Sequence, residues 1–511
     1  MESGGLRVRR GIPPAWWMMV AIILLGLALR LYRLGAQSLW LDEAFSLWAA
    51  SFPMHLSLQI LVGDAVHPPL FYLQLRLAML AGQDEFFLRL PTAFFGVAAI
   101  PLIYVVGRRF FGVGAGLLAA LLLSLSPLHV WYSQEARMYT MSAFLALLCM
   151  YFFLRVAGGL SRATPYWKDW FALGLCSALA YITHYFTLFL PLAQLVFIIC
   201  TFRQNHRLFR KWVLCQALAF APLVPWLWAV YHREALSFGI GWIPRPTLLD
   251  IPLTLWNFSL GYTGQARLFS WGLSPRLIGL AFFALAFLNG VRQALFGKVG
   301  LLAVFWLALP LAIDFIISLR LPLYVDRHFL IALPAYLILV AGGARNTWRM
   351  GDGWRAWRFT LGLALVLSAT LSLPAVYQDP AYAKEDWRAA ARYIEREEKA
   401  GDALALRQYQ LTLPFDYYYR GALERDVITT NRVTKPPAEI AAGHERLWLV
   451  YRLPRPAVHL QVEYGGDAVQ VEELEEEPEV LAWLEAHRGG LRAEKLFHGV
   501  YILLYDLKPQ I

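Results

Sequence analysis

Four short stretches gather the side chains that could do chemistry. In "SLWLDEAFS", residues 38–46, Asp42 and Glu43 stand side by side after an apolar run, among Trp40, Leu41, Phe45 and Trp48. Bulky aromatics exclude water, and a carboxylate in such surroundings can become a stronger base, fit to take a proton from a hydroxyl. The same acids could also do no more than cap the helix that starts near Ala44. In "VHPPLFY", residues 66–72, two prolines permit a helix start but no helix middle. His67 then falls at the open N-terminus of the next helix, where free N–H groups favour an anion such as phosphate. Taken alone, those residues fit a plain loop-to-helix join better. In "YSQEARMYT", residues 132–140, Arg137 offers a planar donor fork suited to phosphate oxygens, with Glu135 beside it. The plainer alternative is an interfacial Glu–Arg pair with Tyr132 and Tyr139 as membrane-belt residues. "YVDRHFL", residues 324–330, adds Arg327 between Asp326 and His328.

The elements that must position these residues follow from composition. Of 511 residues 58% are hydrophobic and 16% charged, which predicts an α-helical polytopic membrane protein. Apolar runs long enough to cross a bilayer, about 20 residues each, recur at 15–34, 90–107, 113–130, 139–156, 169–183, 186–202, 212–230, 276–291, 299–318, 328–344 and 358–376. Eleven spans are therefore expected over residues 1–376. Lys and Arg mark every second connection: Arg7/Arg9/Arg10, Arg108/Arg109, Arg155/Arg162/Lys168, Arg203/Arg207/Arg210/Lys211, Arg292/Lys298 and Arg345/Arg349/Arg355/Arg358. The positive-inside rule makes these connections and the N-terminus cytoplasmic. An odd number of spans then leaves the tail, residues 377–511, outside. The first span reads as an uncleaved anchor, because no small-x-small cleavage site follows it.

All four stretches map to one outer face. Two loops there are long, 35–89 and 231–275. The first holds helix-like stretches at 44–62 and 68–81 of the kind that lies along a membrane surface. The tail carries 17 Lys+Arg and 23 Asp+Glu, a net of −6, whereas residues 1–376 carry +16. That positive charge is scattered between spans, so it sets topology and does not point to nucleic acid. The tail mixes helical stretches ("EDWRAAARYIEREEKA", "EVLAWLEAH") with strand-like ones ("ERLWLVYRL", "GVYILLYDL"), which predicts a small extracytoplasmic α/β domain. "EELEEEPE" reads as a solvated acidic face. The four cysteines lie in or beside apolar segments, so no disulfide framework is expected in the tail. Asp314 is the one acid well inside an expected span, where an ionised carboxylate costs at least ~2.5 kcal/mol.

"LWLDEAFS", "HPPLFY", "YSQEARMYT" and "DRHFLIALP", in this order and at these span ends, resemble the bacterial branch of the protein O-mannosyltransferase-like family in the GT-C superfamily. They are also similar to the lipid A aminoarabinose transferases. The resemblance covers roughly residues 15–376, and "DWRAAARYIEREEKAGD" resembles the extracytoplasmic domain of some members. It implies a GT-C membrane fold and an enzyme of the cell membrane that takes a hexosyl or pentosyl group from a polyprenyl phosphate. The acceptor would be a hydroxyl of a lipid, glycan or protein on the outer face. By the same resemblance Asp42 is the general base, with Glu43 beside it to position it. His67, Arg137 and Arg327 serve the donor phosphate. Tyr132, Glu135, Tyr139, His184 and Asp326 are candidates for substrate contact. His328 departs from the Arg-Tyr more usual there.

One base and a stabilised leaving phosphate suit an inverting displacement, since no second placed nucleophile is found. The chain holds no Asp-x-Asp and no P-loop, so no cofactor and no obligatory metal are expected. His67, Glu135 and His184 could nevertheless meet around a divalent ion. Two other classes remain open: a transporter or lipid flippase, which would need polar groups and broken helices near the bilayer midplane, and a non-catalytic envelope assembly protein whose tail binds a partner.

Overall fold

A computed structural model describes residues 14–158, 167–202, 205–232, 243–262, 275–297, 299–345, 354–378, 383–429, 435–453 and 478–507. Arg7, Arg9, Arg10, Arg162, Arg203, Lys298, Arg349 and residues 472–477 of the acidic run lie outside them. In hydrocarbon a chain satisfies its backbone either as a helix or in a closed barrel, and long apolar runs without period-two alternation take the first course. All eleven expected segments contain helices.

Among the described residues seven helices are long and apolar enough to cross a membrane, with His206–Tyr231 counted as one. In chain order, α1 (Pro14–Leu31) is followed by three short helices of the outer loop, α2 (Leu41–Ser51), α3 (Met54–Asp64) and α4 (Leu70–Ala78). The loop thus holds three helices where two were expected. Pro53 is the cause: it precedes α3 at the N-cap and cannot continue α2. Helix α5 (Glu85–Phe111) crosses next. The expected span 113–130 is two helices, α6 (Val113–Leu125) and α7 (Pro127–Ser133), bent by 57° where Pro127 interrupts the ladder. The carbonyls of Leu123 and Ser124 at this break accept from the Arg30 guanidinium of α1 at 3.1 and 3.3 Å.

Helices α8 (Tyr139–Val156), α9 (Trp167–Tyr181), α10 (Phe189–Thr201), α11 (His206–Phe220), α12 (Val224–Tyr231), α13 (Asp250–Leu260), α14 (Pro275–Phe296), α15 (Gly300–Ser318), α16 (Leu333–Arg345) and α17 (Trp354–Gln378) complete the set. Helix α16 starts later than expected. Residues Asp326–Ile331 form a 3-10 turn before it, which carries Arg327 and His328. Every residue from Leu333 to Ala344 is buried, so α16 is a central strut packed by α6, α14 and α15 and need not be long.

The C-terminal domain alternates α18 (Trp387–Glu397), β1 (Ala403–Gln408), α19 (Thr412–Tyr418), β2 (Arg425–Thr429), α20 (Pro437–Ala441), β3 (Arg446–Arg452), α21 (Pro478–Ala486), β4 (Leu491–Phe497) and β5 (Val500–Asp506). The strand order is β2-β1-β3-β5-β4; β1 is parallel to both neighbours and β5 antiparallel to both of its own. Side chains alternate between faces. Leu447, Leu449 and Tyr501 pack with Ile440 and Trp483 on one side. Trp448, Val450 and Ile502 pack with Trp387, Ile394 and Phe415 on the other. The central strands are covered on both faces, which is why they read as nearly unbroken apolar runs.

Candidate active site

Helix α2 delivers the acid pair. Its N-cap is Trp40, which makes no side-chain cap, so Asp42 and Glu43 occupy the first turn and neither one caps the helix. The helix dipole favours negative charge there. Consecutive residues on a helix point about 100° apart, and the two acids have different fates. Glu43 turns inward with a fully buried side chain. It takes a two-pronged ion pair from Arg89 of α5 at 2.8 and 2.7 Å. It also accepts from the Ala136 N–H at 2.7 Å and pairs with Lys384 Nζ at 3.0 Å. Burial alone would raise its pKa; Arg89 and Lys384 outweigh that and hold it at about 2. Arg89 spends its other N–H groups on the carbonyls of Leu34, Gln37 and Ser38, fixing the chain that enters α2. Glu43 therefore ties the start of α2 to α5, to the turn before α8 and to Lys384. Asp42 keeps 27% of its side chain exposed, with Arg327 Nη1 3.7 Å from its carboxylate.

One guanidinium joins three of the four stretches. Arg137, in the turn before α8, donates to Ser46 Oγ at 3.0 Å and to the Asp42 carbonyl at 3.3 Å. Its other end meets His67 Nδ1 at 3.4 Å. Arg327 enters from the 3-10 turn, lying over the rings of Trp40 and Tyr139 at 6.0 and 5.8 Å. Asp326 anchors that turn, because its carboxylate accepts from Thr254 and from Asn257 Nδ2 of α13. Tyr132 shares a hydroxyl contact of 2.8 Å with Tyr262 and packs edge-on against Tyr139. Glu135 is buried, with its charge facing Arg137 and Arg327. The His67 loop differs from expectation in one respect: the first N–H of α4, Leu70, is already taken by the Ile182 carbonyl, which ties this loop to His184.

His67, His184 and His328 each bring a ring nitrogen within 4.8 Å of the others. Such a trio could hold a metal ion, but its neighbours favour a different guest. The Phe186 N–H donates to His184 Nδ1 at 3.2 Å, and Arg137 donates to His67 Nδ1. In neutral rings those contacts leave the proton on Nε2, as a donor to the cavity. Burial, with Arg137 next, pushes His67 well below its ordinary pKa and His184 to about 3, so both are neutral at pH 7. Two N–H groups beside two guanidinium groups suit an anion, whereas His328, whose Nδ1 donates to the Leu323 carbonyl at 3.1 Å, keeps a lone pair on Nε2.

The buried Tyr72 and Tyr139 hydroxyls, Arg137 Nε and His184 Nε2 have no hydrogen-bond partner among the described residues. Buried polar atoms are rarely left so. Asp42, Tyr72, Tyr139 and Arg137 lie close enough to influence one another electrostatically. Asp64, at the end of α3 beside Arg137 and Asp42, is raised to about 6 by burial, against the pull of Arg137.

Arg89, Tyr72, Asp64 and Lys384 were not marked by sequence reasoning. Arg89 carried a usable signal, a lone cation where an apolar span begins. Lys384 carried none, since nothing in "AYAKED" points 341 positions back to Glu43.

The comparisons agree with this architecture. The family model described as dolichyl-phosphate-mannose-protein mannosyltransferase matches residues 66–228, a stretch that includes His67, Arg137 and His184. No curated protein matches by sequence. Among solved structures, ArnT from Cupriavidus metallidurans bound to undecaprenyl phosphate superposes with a TM-score of 0.60 at 14% identity, over 98% of this chain and 100% of that one. Its apo form gives 0.59 at 13%, over 96% and 98%. The Archaeoglobus fulgidus oligosaccharyltransferase in complex with Zn and sulfate gives 0.54 at 12%, over 84% and 67%. The fold is that of the GT-C membrane glycosyltransferases, with a small C-terminal sheet domain.

Proposed function

We propose that the chain is an integral membrane glycosyltransferase that moves a sugar from a polyprenyl-phosphate donor to an acceptor hydroxyl on the outer face, with inversion. The observation that carries this reading is the set of buried, unpartnered polar groups on Tyr72, Tyr139, Arg137 and His184 gathered beside a part-exposed Asp42. An anionic head group would satisfy those donors. Asp42 takes the proton of the acceptor hydroxyl as its oxygen bonds to the anomeric carbon. The bond from that carbon to the phosphate oxygen breaks, and the electron pair leaves with the phosphate. Arg137, His67 and Arg327 meet the charge that grows there, in a site where such contacts are worth more than in water. Arg327 lies 3.7 Å from the Asp42 carboxylate, between the base and the place of the leaving phosphate in this reading. The ArnT neighbour bound to undecaprenyl phosphate supports a lipid of that kind. We place residues 1–376 in the membrane as the transferase domain, and residues 377–511 outside the cell membrane with the N-terminus inside.

A path for transported solute finds less support. The two terminal nitrogens of Arg30 in α1 are spent on carbonyls at the α6–α7 break and on His129 Nδ1 at 2.8 Å, which leaves only Arg30 Nε and His129 Nε2 unpartnered there among the described residues.

The test is transfer from a panel of purified undecaprenyl-phosphate sugars, mannose and aminoarabinose among them, by the parent enzyme and by Asp42→Asn. A general base contributes about 10²–10⁴-fold, so the variant should lose at least about 10² in kcat and still bind undecaprenyl phosphate. Full activity of Asp42→Asn would refute the assignment of Asp42 as base.

A further inference from the structure

We propose that the C-terminal domain is a working part of the active site, and that Lys384 at its entrance is a positioning residue for Asp42. This rests on the reading of Asp42 as the base. Lys384 is buried and reaches out of its domain: its Nζ lies 3.0 Å from Glu43 Oε1 and donates to the Gln134 carbonyl at 3.0 Å. Its backbone N–H donates to Gln37 Oε1 at 2.7 Å. The next residue continues the seam. The Glu385 carbonyl accepts from Ser38 Oγ, and its carboxylate faces the Leu41 N–H at 3.4 Å. The same carboxylate is held by Arg452 of β3 at 2.7 Å and by Trp387 Nε1 of α18 at 2.8 Å. Ser38, Leu41 and Glu43 bracket Asp42, so the sheet domain grips the base on both sides through two consecutive residues.

Simple docking would not need this arrangement. The domain already has a rim of contacts with the outer loops: the Arg388–Glu85 ion pair, Tyr417 Oη to the Gln83 carbonyl at 2.7 Å and Tyr418 Oη to Glu85 at 2.6 Å. A buried ammonium is costly unless paired, and here it is spent on the residue adjacent to the base. Three charged groups face it, Glu43 from α2, Arg89 from α5 and Glu135 from the turn before α8. Burial and Arg89 lower its pKa to about 8, with Glu43 and Glu135 pulling the other way. As pH rises past about 8, Lys384 sheds its proton and Glu43 loses one of its two cations. Activity should fall on that limb.

The experiment uses the full-length enzyme, with undecaprenyl-phosphate mannose and aminoarabinose as donors, and records kcat and KM across pH 6–10. Misplacing a reacting group by about 1 Å costs about 10²-fold, so Lys384→Met should lower kcat by that order with donor KM nearly unchanged. Lys384→Arg, which stays charged, should keep activity at pH 7 and carry the alkaline limb to higher pH. Arg388→Ala, which loosens only the rim, should leave the profile as it was. A parent-like alkaline limb in Lys384→Arg, or an equal kcat loss in Arg388→Ala, would overturn the proposal. Failure of the underlying reading shows separately, as full turnover by Asp42→Asn.

Discussion

Glu43 and Asp42 share a helix turn and nearly the same chemistry, yet their surroundings give them opposite work. Glu43 spends its oxygens on Arg89, Lys384 and the Ala136 N–H. Removing its charge strands two buried cations, and breaking a buried pair costs about 3–5 kcal/mol. Glu43→Gln should therefore lower the thermal midpoint of the detergent-solubilised protein by several degrees, while Asp42→Asn, on a part-exposed carboxylate, should change it far less. Thermal melts of the two variants side by side check this. The pH dependence has a definite sign. The folded-state pKa of Glu43, about 2, lies below its ordinary 4.5. Its contribution is complete above 4.5 and is lost as pH falls from there through about 2. Acid melts of Glu43→Gln should lack that slope. The "DE" pair was legible in the sequence as a place where chemistry could occur. The division of labour was not, because it depends on cations 46 and 341 residues away.

At the scale of elements, what could be read was what composition controls locally. Span positions follow from apolar length, and the tail's strands and helices from their periods. Breaks were harder to see. Pro53 splits the outer-loop helices and Pro127 bends a span, and the sequence displays both prolines without saying which bond each will break. The late start of α16 was hidden altogether, since "DRHFLIALP" is apolar enough to be helix throughout. The 3-10 turn exists because Thr254 and Asn257 of α13 hold Asp326. Close packing toward the other end of α16 rests on glycine. At Gly343 of α16 a Cβ would strike the Ala286 carbonyl of α14, and at Gly290 of α14 one would strike the Leu339 carbonyl. Small residues let helix backbones approach in this way. Gly343→Val should force the pair apart at a cost of about 1–3 kcal/mol or more. The expected result is a lower melting midpoint and reduced transfer in the same preparation, and a melt equal to that of the parent would show that the crossing relaxes freely.

The whole molecule divides by charge, with +16 over residues 1–376 and −6 in the tail. If the basic connections lie in the cytoplasm, the sheet domain that contacts Glu43 and the loops around Asp42 must lie on the opposite side, where a lipid-borne sugar and its acceptor would meet. At three of the eleven expected spans the helices, α9, α10 and α16, are shorter than a full span, so helix length alone does not fix the number of crossings. The side on which the tail stands, set against the side of the α11 start, shows whether the number of crossings between them is odd. Native cysteines all lie in the membrane half, with Cys200 exposed. Replacing the four with serine clears the background for single probes at Gln410, exposed in the C-terminal domain, and at His206, exposed at the start of α11. In intact cells a membrane-impermeant maleimide should label Gln410→Cys and spare His206→Cys, which should react only after permeabilisation. The reverse pattern would put Asp42 and the sheet domain in the cytoplasm. A site there would face nucleotide sugars as well as lipid-linked ones, and the case for a polyprenyl-phosphate donor would lose the topology on which it rests.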